Sequence, residues 1–218
     1  MATPTPAPEA TAPGHRVGLL RRVHRGLVRR LGYVWGPRLM SSLRKRWVLL
    51  RHPHATIRFG RYVHLAPGFS LHIPEHGTFI VGDAVEFRRG FRAEVVGDGR
   101  IEIGPGCVFS YYSLIQCGTT IEIGTRCMFG QSTMIVDGNH RFRDLSKTMA
   151  QQGYDYRPIR IEDDAVVTTK CTIINHIGTR AFIGANSVVT NPIPPFTVAA
   201  GVPARVIEDF GPDADQGE

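Results

Sequence analysis

No two of the four cysteines stand at CxxC spacing: they fall at 107, 117, 127 and 171. A CxxC metal or redox site is therefore excluded, and a disulfide framework is not expected. They read as packing thiols in a reducing compartment. No apolar run approaches the roughly 20 residues of a membrane-spanning helix, and no signal-peptide pattern opens the chain, so a cytoplasmic location is expected. P-loop, GxSxG and GxGxxG motifs are missing. His52/His54 and His72/His76 lack Cys or carboxylate partners at ligand spacing, so no metal is expected. The largest absence is of negative charge. From Ala10 to Pro74 there is no Asp or Glu, while thirteen of the 26 Lys and Arg lie there. The net charge of +7 is a local feature of the N-terminal third.

What is present is a period of six. Ile57/Val63/Phe69, Val81/Phe87/Ala93, Ile103/Phe109/Ile115, Ile123/Phe129/Ile135, Ile161/Val167/Ile173 and Ile177/Ile183/Val189 place Val, Ile or Phe at seventeen of eighteen positions. That period fits neither the 3.6 of an amphipathic helix nor the 2 of a half-buried strand. It predicts a parallel β-helix, in which each short strand sends a side chain to the axis before the chain turns. Gly82, Gly104, Gly124, Gly130, Gly178 and Gly184 follow these anchors, as tight corners would want. From position 103 onward, the side chain four residues past the anchor is small: Cys107, Ser113, Cys127, Thr133, Ala165, Cys171, Ala181 and Ser187. Those positions also point inward. A β-sandwich with Gly-rich turns is the competing architecture.

Residues 1–15 are Pro-, Ala- and Thr-rich, with no core-forming pattern, and are expected to be disordered. Residues 16–51 form a basic helical segment. Leu20, Val23, Leu27, Leu31 and Val34 share one face, arginines fill the rest, and Gly36-Pro37 breaks it. Such a segment suits an anionic membrane surface or another acidic partner, or equally covers one open end of the β-helix. No RRM, KH, zinc-finger or helix-turn-helix signal accompanies it, so nucleic acid is not expected. The repeat domain with its C-terminal extension spans 52–210, with the coils themselves ending near 190 at a proline-rich stretch. Residues 211–218 make a flexible tail. One polar insertion, about 137–158, protrudes between Ile135 and Ile161, where a solenoid keeps its chemistry.

At the root of that insertion stands His140, with Asp137 and Asp144 nearby. A histidine titrating near pH 6.5 serves as a general base at neutral pH, worth about 10²–10⁴ in rate. A carboxylate on its other ring nitrogen would fix the tautomer.

Three features together resemble the hexapeptide-repeat acyltransferases, and within them the sugar and polysaccharide O-acetyltransferases: the six-residue stack, VDGNHRF followed by QQGYDYRPIRI, and IGANSVVTNPIPPFTVAAGVPARVI. The resemblance covers about 57–208. It implies a left-handed coil, against the usual right-handed rule, a homotrimer, and acetyl-CoA as co-substrate in the groove between neighbours. It implies His140 as base within the motif of Asp137 and Asn139, and attack by an acceptor hydroxyl on the thioester without an acyl-enzyme. The family's CoA contacts fall on Thr169, Ala185, Thr190 and Arg205, and its acceptor-contacting position falls on Ser110.

The chain departs from the family at several places. Val166 stands for an aromatic, Thr168 for a glycine, and Asn191 and Glu208 for basic residues that hold CoA phosphate. Arg205, Arg180 or the N-terminal arginines are candidates to replace that charge. The expected acceptor is a carbohydrate or glycoconjugate, with a lipid-linked glycan at the inner membrane face suggested by the basic segment. Two alternatives stay open: an enzyme acetylating a small molecule such as an antibiotic or amino sugar, and a non-catalytic trimeric binding protein. A γ-type carbonic anhydrase would need three histidines around its metal, and His140 with His176 do not make that set.

Overall fold

The computed structural model describes residues 36–212. The expected disordered start, the Leu20–Val34 stripe and most of the C-terminal tail lie outside the described residues. The chain divides into two compact units, 1–40 and 41–218, and every coil of the repeat belongs to the second.

The chain winds as a left-handed parallel β-helix. Its coils are made of short strands that stack on their counterparts into three sheets. One face carries Thr56–Phe59, Thr78–Val81, Arg100–Ile103, Thr120–Ile123 and Ile159–Ile161. A second begins with His64–Leu65 and Glu86–Phe87, and runs up to Phe182–Ile183 and Thr197–Gly201. The third runs from Ser70–His72 through Arg92–Val95, Leu114–Cys117, Met134–Val136 and Thr172–Ile173 to Val188–Val189. Within these faces neighbouring coils pair in parallel. The final strand, Ala204–Asp209, instead runs antiparallel to Thr197–Gly201 and covers that edge.

The period of six holds through five of the six predicted triplets, and Ile123 over Ile103 or Phe129 over Phe109 shows the register. The first triplet is two residues off. Phe59, Leu65 and Leu71 pair with Val81, Phe87 and Ala93. Ile57 belongs to a second inward row with Phe79, Ile101, Ile121 and Ile159. That row exists because strands of the first face are longer, and in a strand every second residue faces the same side. The coils also continue past 190: Ile193 bridges Ile177, and Ala199 pairs with Ile183, so the prolines bend the chain without ending the stack.

The interior is a ladder of like on like. Phe87 stacks on Phe109 at 5.2 Å between ring centroids, and Phe109 on Phe129 at 4.6 Å. Each fully buried phenyl contributes about 1.5–3 kcal/mol. The small inward residues do more than make room. Cys107 Sγ donates to Gly124 O at 3.1 Å, Cys127 Sγ to Glu162 O at 3.0 Å, and Ser187 Oγ to Gly184 O at 2.6 Å. Each closes a corner carbonyl that the ladder leaves open.

The predicted corner glycines are required for another reason. A Cβ on Gly104 would lie 2.5 Å from Gly124 O in the next coil. Left-handed backbone instead falls on residues such as Tyr112, Arg126 and Asn186, at φ 60°, 56° and 59°.

From Ser41 onward, the helix Gly36–Arg51 covers the open first coil. Ser41 Oγ accepts from Leu65 N–H at 2.9 Å. Arg44 Nη1 donates to Leu65 O at 2.9 Å, Lys45 Nζ donates to Val63 O at 3.1 Å, and Val48 is buried. Edge groups that no further coil can pair are satisfied in this way. Covering the open end, one of the uses expected for the basic segment, is thus seen from Ser41 onward.

Candidate active site

The insertion leaves the third face at Asp137 and returns at Ile159. Gly138–His140 runs antiparallel to Tyr154–Tyr156, and a single helical turn, Met149–Gln152, lies between them. Thr148 closes the turn: its N–H and Oγ1–H each donate to Gln151 Oε1 at 3.0 Å, and Gln151 N–H donates back to Thr148 O at 3.0 Å. Arg141 is bonded to Asp155 at 2.6 Å, and Lys147 to Asp144 at 2.9 Å.

His140 is exposed at the root of this hairpin. Its ring lies against Tyr154, which stacks on Tyr156 at 5.6 Å. Tyr156 in turn covers two glycines: a Cβ on Gly118 would meet its ring at 2.1 Å, and one on Gly138 at 2.6 Å. Two phenol rings thus run from the wall of the prism out to the imidazole. Burial raises the Tyr156 hydroxyl above its usual range, and the nearby Tyr154 and Asp137 add to this. The tyrosines and the two glycines were not singled out in the sequence. The signal was the alternation Tyr154-Asp155-Tyr156 opposite Gly138-Asn139-His140.

Asp137 is placed differently from the expectation that a carboxylate holds His140. It is buried, at 6% exposed. Its carboxylate accepts from Gly118 N–H (2.8 Å), Thr119 N–H (2.8 Å) and Thr119 Oγ1–H (3.0 Å). It fixes the turn of the neighbouring coil and the start of the insertion together. Beside it, burial first and the Asp137 charge second push the Cys117 thiol up to about 12, which suits a packing group. Asn139 is exposed, opposite Asp155 in the hairpin. Asp144 holds Ser146 and Lys147 and belongs to the loop's own framework.

A cavity of about 350 Å³ is lined by His140, Arg141, Phe142, Arg143, Asp144, Lys147, Gln152 and Asp155. A larger cleft of about 680 Å³ lies on the first face, among Glu102, Glu122, Glu162, Asp163 and Arg160. It is lined by no histidine, and the hydroxyl of its Thr179 is committed to Glu162, 2.6 Å from Oε2. Of the two, the smaller cavity is the one lined by a histidine.

The remaining candidates divide between two edges. Thr169 and Ala185 are exposed and stack one coil apart where the second face turns into the third, since Val167 pairs with Ile183. Among the described residues neither backbone N–H donates to another protein group, so both face outward as free donors. Ser110 lies just before the same corner two coils lower, and Arg205 is opposite Ala200. Thr190 stands at the far end of the third face, after Val189, on the edge from which the insertion leaves. Its carbonyl accepts from Asn175 Nδ2 at 3.0 Å. Within the chain, therefore, Thr169, Ala185 and Ser110 do not come together with His140, because a whole face separates them.

No family model matches the chain. It is 28% identical over 172 residues to a protein named as an acetyltransferase of Mycobacterium tuberculosis, covering 75% of this chain and 56% of that one. It is 32% identical over 113 residues to a serine acetyltransferase of Bacillus subtilis, covering 51% and 49%. A third relative, named as the lipopolysaccharide biosynthesis O-acetyl transferase WbbJ of Escherichia coli, is 27% identical over 65% of this chain and 77% of its own. The chain spans about half the length of the first two. Among solved structures, the hexapeptide-repeat acetyltransferase VCA0836 of Vibrio cholerae superposes with a TM-score of 0.53 at 22% identity, over 91% of this chain and 95% of that one. The polysialic-acid-specific acetyltransferase NeuO superposes with a TM-score of 0.51 at 19% identity, over 72% and 82%. These similarities bear out the hexapeptide-repeat fold and the resemblance to hexapeptide-repeat acetyltransferases.

Proposed function

We propose that the protein transfers an acetyl or other short acyl group from CoA to a hydroxyl of a carbohydrate or glycoconjugate, with His140 as general base. The observation that carries this reading is the placement of His140. It is exposed, lines the cavity of the one large insertion, and is backed by the Tyr154–Tyr156 stack. His140 takes the proton of the acceptor hydroxyl as its oxygen bonds to the acyl carbon. The imidazolium then returns that proton to the departing sulfur. Acetyl-CoA, when bound, supplies the acyl group as a thioester. The free N–H donors of Thr169 and Ala185 suit the amides of its pantetheine arm, and Arg205 supplies a positive charge near the same corner. A preorganised backbone donor at the oxyanion is worth about 3–4 kcal/mol.

Because the two sets of residues occupy opposite edges of one face, the reading requires neighbouring copies. The insertion edge of one protomer meets the Thr169–Ala185 edge of the next, and a closed homotrimer supplies three such seams. Asn139 flanks His140 on the acceptor side, Ser110 lies along the same seam, and Thr190 closes it from the insertion edge.

The lipopolysaccharide-related name of one relative supports a sugar acceptor. The serine acetyltransferase similarity favours a second reading, a small hydroxylated or aminated acceptor. Thiol release from acetyl-CoA, measured with panels of glycans, amino sugars and amino acids, separates the two. His140→Ala is expected to reduce acceptor-dependent release by about 10²–10⁴-fold. Equal release by both proteins would remove His140 from the reaction, and release no faster than without protein would leave a binding scaffold.

A further inference from the structure

We propose that the outward face of the helix Gly36–Arg51 docks on an anionic lipid bilayer. The inward face is fully used: Ser41, Arg44, Lys45 and Val48 all engage the first coil. The opposite face therefore points away from the coil stack. It carries Leu43, Trp47 and Leu50, spaced four and three residues apart on one stripe and exposed by 46%, 63% and 76%. Arg46 and Arg51 stand exposed beside them.

This combination selects among anionic partners. Arginines alone fit any polyanion, but a stripe of large apolar side chains needs acyl chains beneath the phosphates. Indole rings prefer the headgroup level, and arginine stems lie along apolar surface while their heads reach phosphate. No carboxylate between Ala10 and Pro74 opposes the approach. A second copy fits this face less well, because self-pairing would set Arg46 and Arg51 against their own kind. Among the described residues no helix is long and apolar enough to cross a membrane, so the contact is lateral. In a three-fold assembly of parallel prisms three such faces share one plane, and their attachments reinforce one another. The inference goes beyond acyl transfer and does not depend on it.

The test uses the full chain with Trp35→Phe, which leaves Trp47 as the single tryptophan. Vesicles of phosphatidylcholine, with and without phosphatidylglycerol, are the probe. The expected result is a blue shift of Trp47 emission and co-sedimentation at least about tenfold stronger with phosphatidylglycerol, weakened by salt. The variant Leu43→Ser/Leu50→Ser, whose changes are exposed, is expected to keep its thermal unfolding profile and lose at least about tenfold in binding. Binding that is absent with phosphatidylglycerol, or equal in native protein and variant, overturns the proposal. So does Trp47 emission already blue and shielded from acrylamide before vesicles are added, since another part of the chain or a second copy would then occupy the face.

Discussion

The imidazole of His140 rests on the phenol ring of Tyr154 with centroids 4.2 Å apart and planes tilted by 38°. Among the described residues, no carboxylate is hydrogen-bonded to that imidazole. The ring contact, and not an ion pair, fixes where the imidazole proposed as base stands. Tyr154→Ala is therefore expected to lower turnover by about tenfold or more, since a displacement of about 1 Å in a catalytic group can cost 10²-fold. Tyr154→Phe keeps the ring and should keep most of the activity. Steady-state kinetics with a fixed acceptor would check this, with the loss expected in kcat more than in KM. Equal kcat for the Ala and Phe variants would refute the positioning role.

Two glycines separate support of the His140 ring stack from support of the fold. At Gly118 an added Cβ meets the Tyr156 side chain, whereas at Gly104 it meets the Gly124 backbone of the next coil. A ring can swing away; a stacked coil cannot. Gly118→Ala should thus reduce turnover by disturbing the ring stack, with a small change in melting temperature. Gly104→Ala should destabilise by about 1–3 kcal/mol, the range for overpacked interiors, and leave the kinetics of the remaining folded protein unchanged. Paired thermal unfolding and activity assays would show whether the two effects divide in this way.

Asp137 offers a second division. Its carboxylate faces three donors of Gly118 and Thr119. An asparagine there can accept with one oxygen only and would turn an N–H₂ group toward N–H donors. Leaving buried donors unpaired costs about 1–3 kcal/mol, and denaturant unfolding of Asp137→Asn should show that loss. If Asp137 instead acts on His140 during turnover, the variant would keep its stability and lose its pH dependence. Both can be read from one protein preparation.

The coil architecture was legible because stacked coils repeat one steric requirement at every sixth residue. Ile103, Ile123 and Ile161 occupy the same place three times over. The register of the first coil was not legible, since Ile57 and Phe59 are both large and both face inward; only pairing with the following coil tells them apart. The insertion showed itself by breaking the repeat, and His140 by standing at its root. Tyr154 and Tyr156 were hidden because an aromatic pair in a polar loop has no meaning until its strand is laid against Gly138–His140. The split of Thr169 and Ala185 from His140 was equally invisible: it depends on which corner each residue turns.

His64 ties stability to pH at the capped end of the prism. Burial lowers its proton affinity, the Glu86 carboxylate works against this, and Arg44 and Lys45 add to the lowering. The folded protein therefore binds this proton less tightly than the unfolded chain, where imidazole titrates near 6.5. Above that value the group is neutral in both states and costs nothing. As pH falls below about 6.5 the unfolded chain takes up the proton first, and stability declines by at most about 1.4 kcal/mol per pH unit until the folded state is protonated too. His64→Gln removes the titration, so its melting temperature should fall less than that of the native protein between neutral and mildly acidic pH. The difference between the two profiles isolates His64 from the other histidines. Glu86→Gln should steepen the native decline, because it removes the one charge that favours the imidazolium. The new positive charge arises beside Arg44 and Lys45, whose bonds to Leu65 O and Val63 O hold the covering helix. Amide exchange should accordingly show that helix opening before the coils do.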